Sequence, residues 1–151
     1  MEELIFIIDN ISRYGLYADL DLENKEQDLE KNLVYLYAKY FEIKAASDPV
    51  IYPKYKGPNY VFLRKNINSN FPTFGWYHNI TDPHEILKEA SLVTGDAVDD
   101  LADIILGLLE VKWRKEHHSL EDAIWFFKFI FQAHLQQHLI DLLSFLKYNY
   151  S

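Results

Sequence analysis

The 151 residues are 49% hydrophobic and 16% aromatic, which suits one domain with a buried core and excludes intrinsic disorder. A formal charge of −8 argues against a nucleic-acid partner, which calls for clustered Lys and Arg; it suits solubility or a basic protein partner. The absence of cysteine excludes a disulfide scaffold, cysteine-ligated zinc, an iron–sulfur cluster and a cysteine nucleophile.

The opening "MEELIFIIDN" holds a short apolar run, Leu4 to Ile8, behind two glutamates. It lacks the basic leader and length of a signal peptide, so a cytoplasmic location is expected. The most apolar segment, 124–146, carries Lys128, His134, His138 and Asp141 and is too polar to span a bilayer, so no membrane association is expected. Leu4, Ile7, Ile8 and Ile11 recur at helical spacing and predict a helix over about 2–17. Leu29, Leu33, Leu36, Tyr37, Tyr40 and Phe41 predict a second over about 24–46.

From 47 to 82 no period is sustained, and Pro49, Pro53, Gly57, Pro58, Pro72 and Gly75 interrupt the chain. This reads as a long loop dense in aromatics, with "YVFLR" either a short strand or a helical turn. Asp82, Pro83 and Glu85 have the order of a cap, a first-turn proline and a capping-box acid, predicting a helix over about 83–93. Gly95 breaks the chain, Asp96 opens a helix over about 96–116, and Ser119 with Asp122 opens another over about 120–148. The expected fold is therefore all-α, a single-domain bundle of about five helices with a long aromatic and proline-rich central loop.

Three stretches bear chemistry. Asp96, Asp99, Asp100, Asp103 and Glu110 crowd one helix. Set against the apolar face of Leu101, Ile104, Ile105, Leu108 and Leu109, they read as a solvated face that also complements the helix dipole. The alternative is a magnesium site, since carboxylates at these spacings offer the oxygen ligands that magnesium takes. Asp100 and Asp103 resemble one acid pair of the metal-dependent all-α nucleotide pyrophosphohydrolases. Glu85 and Glu89 are the nearby partner pair, at a spacing of four where the usual motif has three, and no Lys or Arg motif for phosphate follows.

In "FQAHLQQHLIDLL", residues 131–143, His134, His138 and Asp141 project within about 60° of one another on an ideal helix. The surrounding helix is apolar nearly all round, so these groups need partners. Asp9, Tyr14 and Tyr35 are candidates. The expected reading is a buried polar network that fixes helix register; the alternative is a metal site with two imidazoles and a carboxylate. In "NFPTFGWYHN", residues 70–79, the aromatics either fold back as a lid or form an anchor for a partner through Phe74, Trp76, Tyr77 and His78. His117 and His118 close a helix and complement its dipole.

Three stretches, "NFPTFGWYHNI", "GDAVDDLADIILGLLEVKWR" and "AIWFFKFIFQAHLQQHLIDLL", resemble the bacterial domain-of-unknown-function family 5063, small acidic helical proteins, over about residues 69–146. The resemblance implies a small cytoplasmic helical protein and brings no activity, cofactor or catalytic residue. The function expected from the residues is a non-catalytic interaction or adaptor module, with a protein partner or self-association and no cofactor. The alternative is a hydrolase using a divalent metal on Asp100 and Asp103 or on His134, His138 and Asp141.

Overall fold

A computed structural model gives the fold and describes residues 1–150. Helix α1 (Glu2–Leu16) packs on α2 (Lys25–Glu42), on α3 (Tyr60–Asn70) and on α4 (Ala97–His117). Helix α4 lies in the middle, with α5 (Leu120–Ile130) and α6 (Gln136–Tyr150) along its other side. Strands β1 (Trp76–Thr81) and β2 (Ser91–Asp96) form one antiparallel hairpin just before α4. The protein is a mainly α single domain, as expected. The core follows the predicted stripes: Leu4, Ile7, Ile8 and Ile11 from α1, Leu29, Leu33 and Leu36 from α2, and Leu101, Ile104, Ile105 and Leu108 from α4 are all buried.

Local signals account for the starts of α4 and α5. The Asp96 carboxylate accepts from the Val98 N–H at 2.9 Å, and the Ser119 hydroxyl accepts from the Asp122 N–H at 3.0 Å. Each satisfies a donor that the first helical turn leaves free. Helix α2 stops at Glu42, short of the expected 46. Beyond it the chain crosses to the corner between α4 and α5. There Asp48 accepts from Tyr52 and Ser119, both at 2.5 Å, and Tyr52 stacks on His118 with ring centroids 4.1 Å apart.

The 47–82 loop is corrected in two places. Residues 60–70 form α3, capped by the Asn59 side chain, and 76–81 form β1. Helix α3 escapes a hydrophobicity reading because half of its buried face, Leu63, Asn66, Ile67 and Asn70, is asparagine. Those asparagines close the C-terminus of α1. Asn66 Nδ2 donates to the Gly15 carbonyl at 2.8 Å, and Asn70 Nδ2 donates to the Tyr14 and Tyr17 carbonyls at 2.9 and 2.8 Å. Asn70 Oδ1 in turn accepts the Leu20 N–H at 2.9 Å. Replacing Asn70 with leucine strands those groups, and urea melts are expected to show a loss of about 1–3 kcal/mol.

The helix expected over 83–93 is not formed; 83–90 make the exposed turn of the hairpin, and 91–96 are β2. Asp82 sits at φ 54°, the left-handed region, rather than the extended conformation that an N-cap takes. Ile86 and Leu87 are exposed, so a helix here would bury nothing, and short helices depend on burying a face. Ser91 to Thr94 instead pair with His78 to Thr81.

The last predicted helix is not uniform. Between α5 and α6, Phe131–Leu135 form a π-helical turn, closed by the Gln136 N–H donating to the Phe131 carbonyl five residues back. Such single wide turns recur at functional sites. No helix among the described residues is long and apolar enough to cross a membrane.

Candidate metal centre at the meeting of α4 and α6

The wide turn and the start of α6 bring His134 and His138 against the acidic turns of α4. Gly107 permits the approach, since a Cβ there would stand 2.9 Å from Leu135 of the wide turn. His138 Nδ1 lies 2.7 Å from Asp100 Oδ1, and its Nε2 lies 3.3 Å from Asp103 Oδ2. The His134 ring stands edge-on to His138, with centroids 4.7 Å apart. One ligand atom each from Asp103, His134 and His138 fall within 4.8 Å of one another. A cleft of about 430 Å³ opens over them, lined also by Asp96, Asp99 and Asp141.

The partners of His138 are therefore carboxylates of α4, not the groups named from the sequence, and His134 stands exposed near Asp103. Asp9 pairs with Lys112, and Tyr14 donates to Asp28. The solvated-face expectation also fails for Asp96 and Asp100, which are buried. Asp99 is held by Tyr60 and Arg64, and Arg64 also reaches Asp96 at 3.1 Å. Glu110 stands apart from the cluster, half-buried and bonded to Arg114 at 2.8 Å. Asp141 does not join the ligand cluster; it accepts from Asn79 at 3.1 Å and Gln137 at 2.9 Å.

The hairpin is the third wall. Alternation along β1 turns Tyr77 and Asn79 inward and leaves Trp76 and His78 outside. The Tyr77 hydroxyl donates to Asp100 Oδ2 at 2.5 Å. Its ring reaches that far only by lying across its register partner Gly95, where a Cβ would stand 2.1 Å from the ring. Asn79 and Gln137 carried no signal at the level of sequence, and Gly95 stood out only as a break in the chain. Their part follows from hairpin register and helix packing. The four residues named for a partner surface divide: Phe74 is core, Tyr77 belongs to the cleft, and Trp76 and His78 are exposed.

Burial pushes Asp100 and Asp103 above the usual carboxylate range. Burial and the bond to Asp100 push the Tyr77 hydroxyl far up, so it stays a neutral donor. The Asp100 hydrogen bond raises His138, against burial. Folded-state values raised above unfolded ones mean stability that is present at low pH and lost as pH climbs. For His138 the loss begins near an unfolded value of about 6.5 and ends above the raised one. Metal-free protein is thus expected to lose urea resistance on going from pH 6 to pH 8.5, and His138→Gln to flatten that fall. An equal fall in the variant would place its origin elsewhere.

Among the described residues no second acidic helix lines the cleft as a pyrophosphohydrolase-like site would require. Glu85 and Glu89 lie on the exposed hairpin turn and do not line the cleft. A family model described as Domain of unknown function (DUF5063) matches residues 18–150, most of the chain rather than its C-terminal half alone. No curated protein and no solved structure matches.

Proposed function

Because the chain belongs to the DUF5063 family, whose description names no activity, we propose a function from the site: a divalent-metal protein that holds a zinc-class ion on Asp103, His134 and His138 and activates water for hydrolysis. One observation carries this reading. Asp100 fastens Nδ1 of His138 and so turns Nε2 toward Asp103, with His134 alongside. A ligating histidine almost always gives its other nitrogen to such a carboxylate or carbonyl, which fixes tautomer and ring orientation. Two imidazoles and a carboxylate suit zinc, and three protein ligands leave a position for water. Ligands on one ion stand at most about 4 Å apart, so a cluster within 4.8 Å closes around it with side-chain shifts of under about 1 Å. In hydrolysis one fragment takes the hydroxyl of water and the other the proton, and the exposed cleft admits both water and substrate.

The test is metal analysis of protein purified without chelator, with melting temperatures on adding zinc, manganese or magnesium. Zinc at a hundredfold over its Kd adds about 2.7 kcal/mol, a rise of roughly 5–10 °C for a chain of this size. Magnesium, which prefers oxygen ligands, is expected to add less. Finding no bound metal and no shift with any of the three ions would sink the metal reading.

A protein contact is the second reading, and one observation favours it. Trp76 is 73% exposed on the outer hairpin face, the same face that carries the exposed Ile80 and Leu92 further along the strands. Light scattering that stays monomeric at high concentration would remove self-association through that face.

A further inference from the structure

The metal cluster is shared by two clefts of opposite character. Asp103 and His134 line the acidic cleft and also a second one of about 340 Å³. The walls of the second are Tyr55, Pro58, Leu106, Phe126 and Ile130. Its one other acid, Glu110, is already paired with Arg114. No lysine or arginine lines either cleft, while five aspartates line the first: Asp96, Asp99, Asp100, Asp103 and Asp141.

Resting on the metal reading, we infer that the site takes a small molecule with an uncharged metal-binding head, a carbonyl in the natural case, and an apolar substituent. The head sits at Asp103 and His134, and the substituent lies along Tyr55, Leu106 and Ile130. Burying an aromatic or branched aliphatic group there removes apolar surface from water on both sides. A phosphate or carboxylate head meets a rim of carboxylates whose one neighbouring arginine, Arg64, is already held by Asp96 and Asp99 and does not line the cleft, so like-charge repulsion selects against it. The nucleotide class suggested by the acid pair is disfavoured on the same ground.

The probes are benzohydroxamic acid and acetohydroxamic acid, two chelators that are neutral in solution, release one proton to water on binding zinc and differ in the apolar group, and phenylphosphonate, an anion with the same ring. Each is titrated into the zinc-loaded full chain, with zinc affinity measured separately by competition with a chelating dye. Benzohydroxamate is expected to bind at least about tenfold tighter than acetohydroxamate and tighter than phenylphosphonate. Ile130→Asn should erase the preference for the ring and leave zinc affinity and acetohydroxamate binding unchanged. Tyr55→Ala, outside the helices, serves if that variant does not fold. Equal binding of the two hydroxamates, or tighter binding of phenylphosphonate, overturns the inference and leaves the metal reading standing. Absence of zinc binding to the wild-type chain removes both.

Discussion

Asp100→Asn is expected to weaken zinc binding about 10- to 100-fold while the fold survives. The side chain keeps its shape, and an amide can still meet Tyr77. It loses the charge that holds His138 Nδ1 as a donor at 2.7 Å. The ring is then free to present either nitrogen, and part of the population no longer aims Nε2 at Asp103. Removing a ligand goes further. His134→Ala takes an exposed side chain, so the metal-free melting temperature should barely move, whereas stoichiometric zinc binding should vanish. That separation matters, because His138→Ala would also empty a half-buried position and confuse loss of metal with loss of fold. Calorimetric titration of the three proteins decides the roles. Unchanged affinity in His134→Ala sinks the ligand set, and unchanged affinity in Asp100→Asn alone reduces Asp100 to a packing group.

The two halves of this site were each visible in the sequence, but not their meeting. Asp100 with Asp103 and His134 with His138 stand out by spacing alone, because one helical turn puts residues three and four apart on one side. Which helix lies beside which is set by packing, and the packed neighbours that bring α4 against this segment, such as Gly107 facing the buried Leu135, are not read from the spacing of the polar residues. The question posed by the histidines, whether a hydroxyl or a carboxylate faces them, is answered by Asp100 and Asp103; the hydroxyl, Tyr77, stands one step behind on Asp100. Helix starts at Asp96 and Ser119 were legible because a cap is local chemistry. Helix α3 was not, since asparagines serve as its core face and bond to α1, a partner about 50 residues away. At Asp82 the local signal misled. Cap, proline and acid were all in place, but Ile86 and Leu87 stay exposed with nothing for a helix to pack against, and strand pairing won.

Gly95→Ala is the prediction that ties this hairpin to the metal site. The new methyl would stand 2.1 Å from the Tyr77 ring, far inside any van der Waals contact, and the clash is with a rigid ring already fixed by its hydroxyl. Either the ring leaves Asp100 or the hairpin lifts. Overpacking costs about 1–3 kcal/mol, and loss of a hydrogen bond to a charged group costs a similar amount. A total near 3 kcal/mol is expected in urea melts, with zinc affinity falling in parallel because Asp100 loses one of its two donors. The cause is separable by a double-mutant cycle. Tyr77→Ala removes the ring, so Gly95→Ala should then cost little, and the two changes together should cost at least about 1 kcal/mol less than their separate losses. If the losses add within about 0.5 kcal/mol, glycine and tyrosine act independently, and the hairpin covers the site without positioning Asp100.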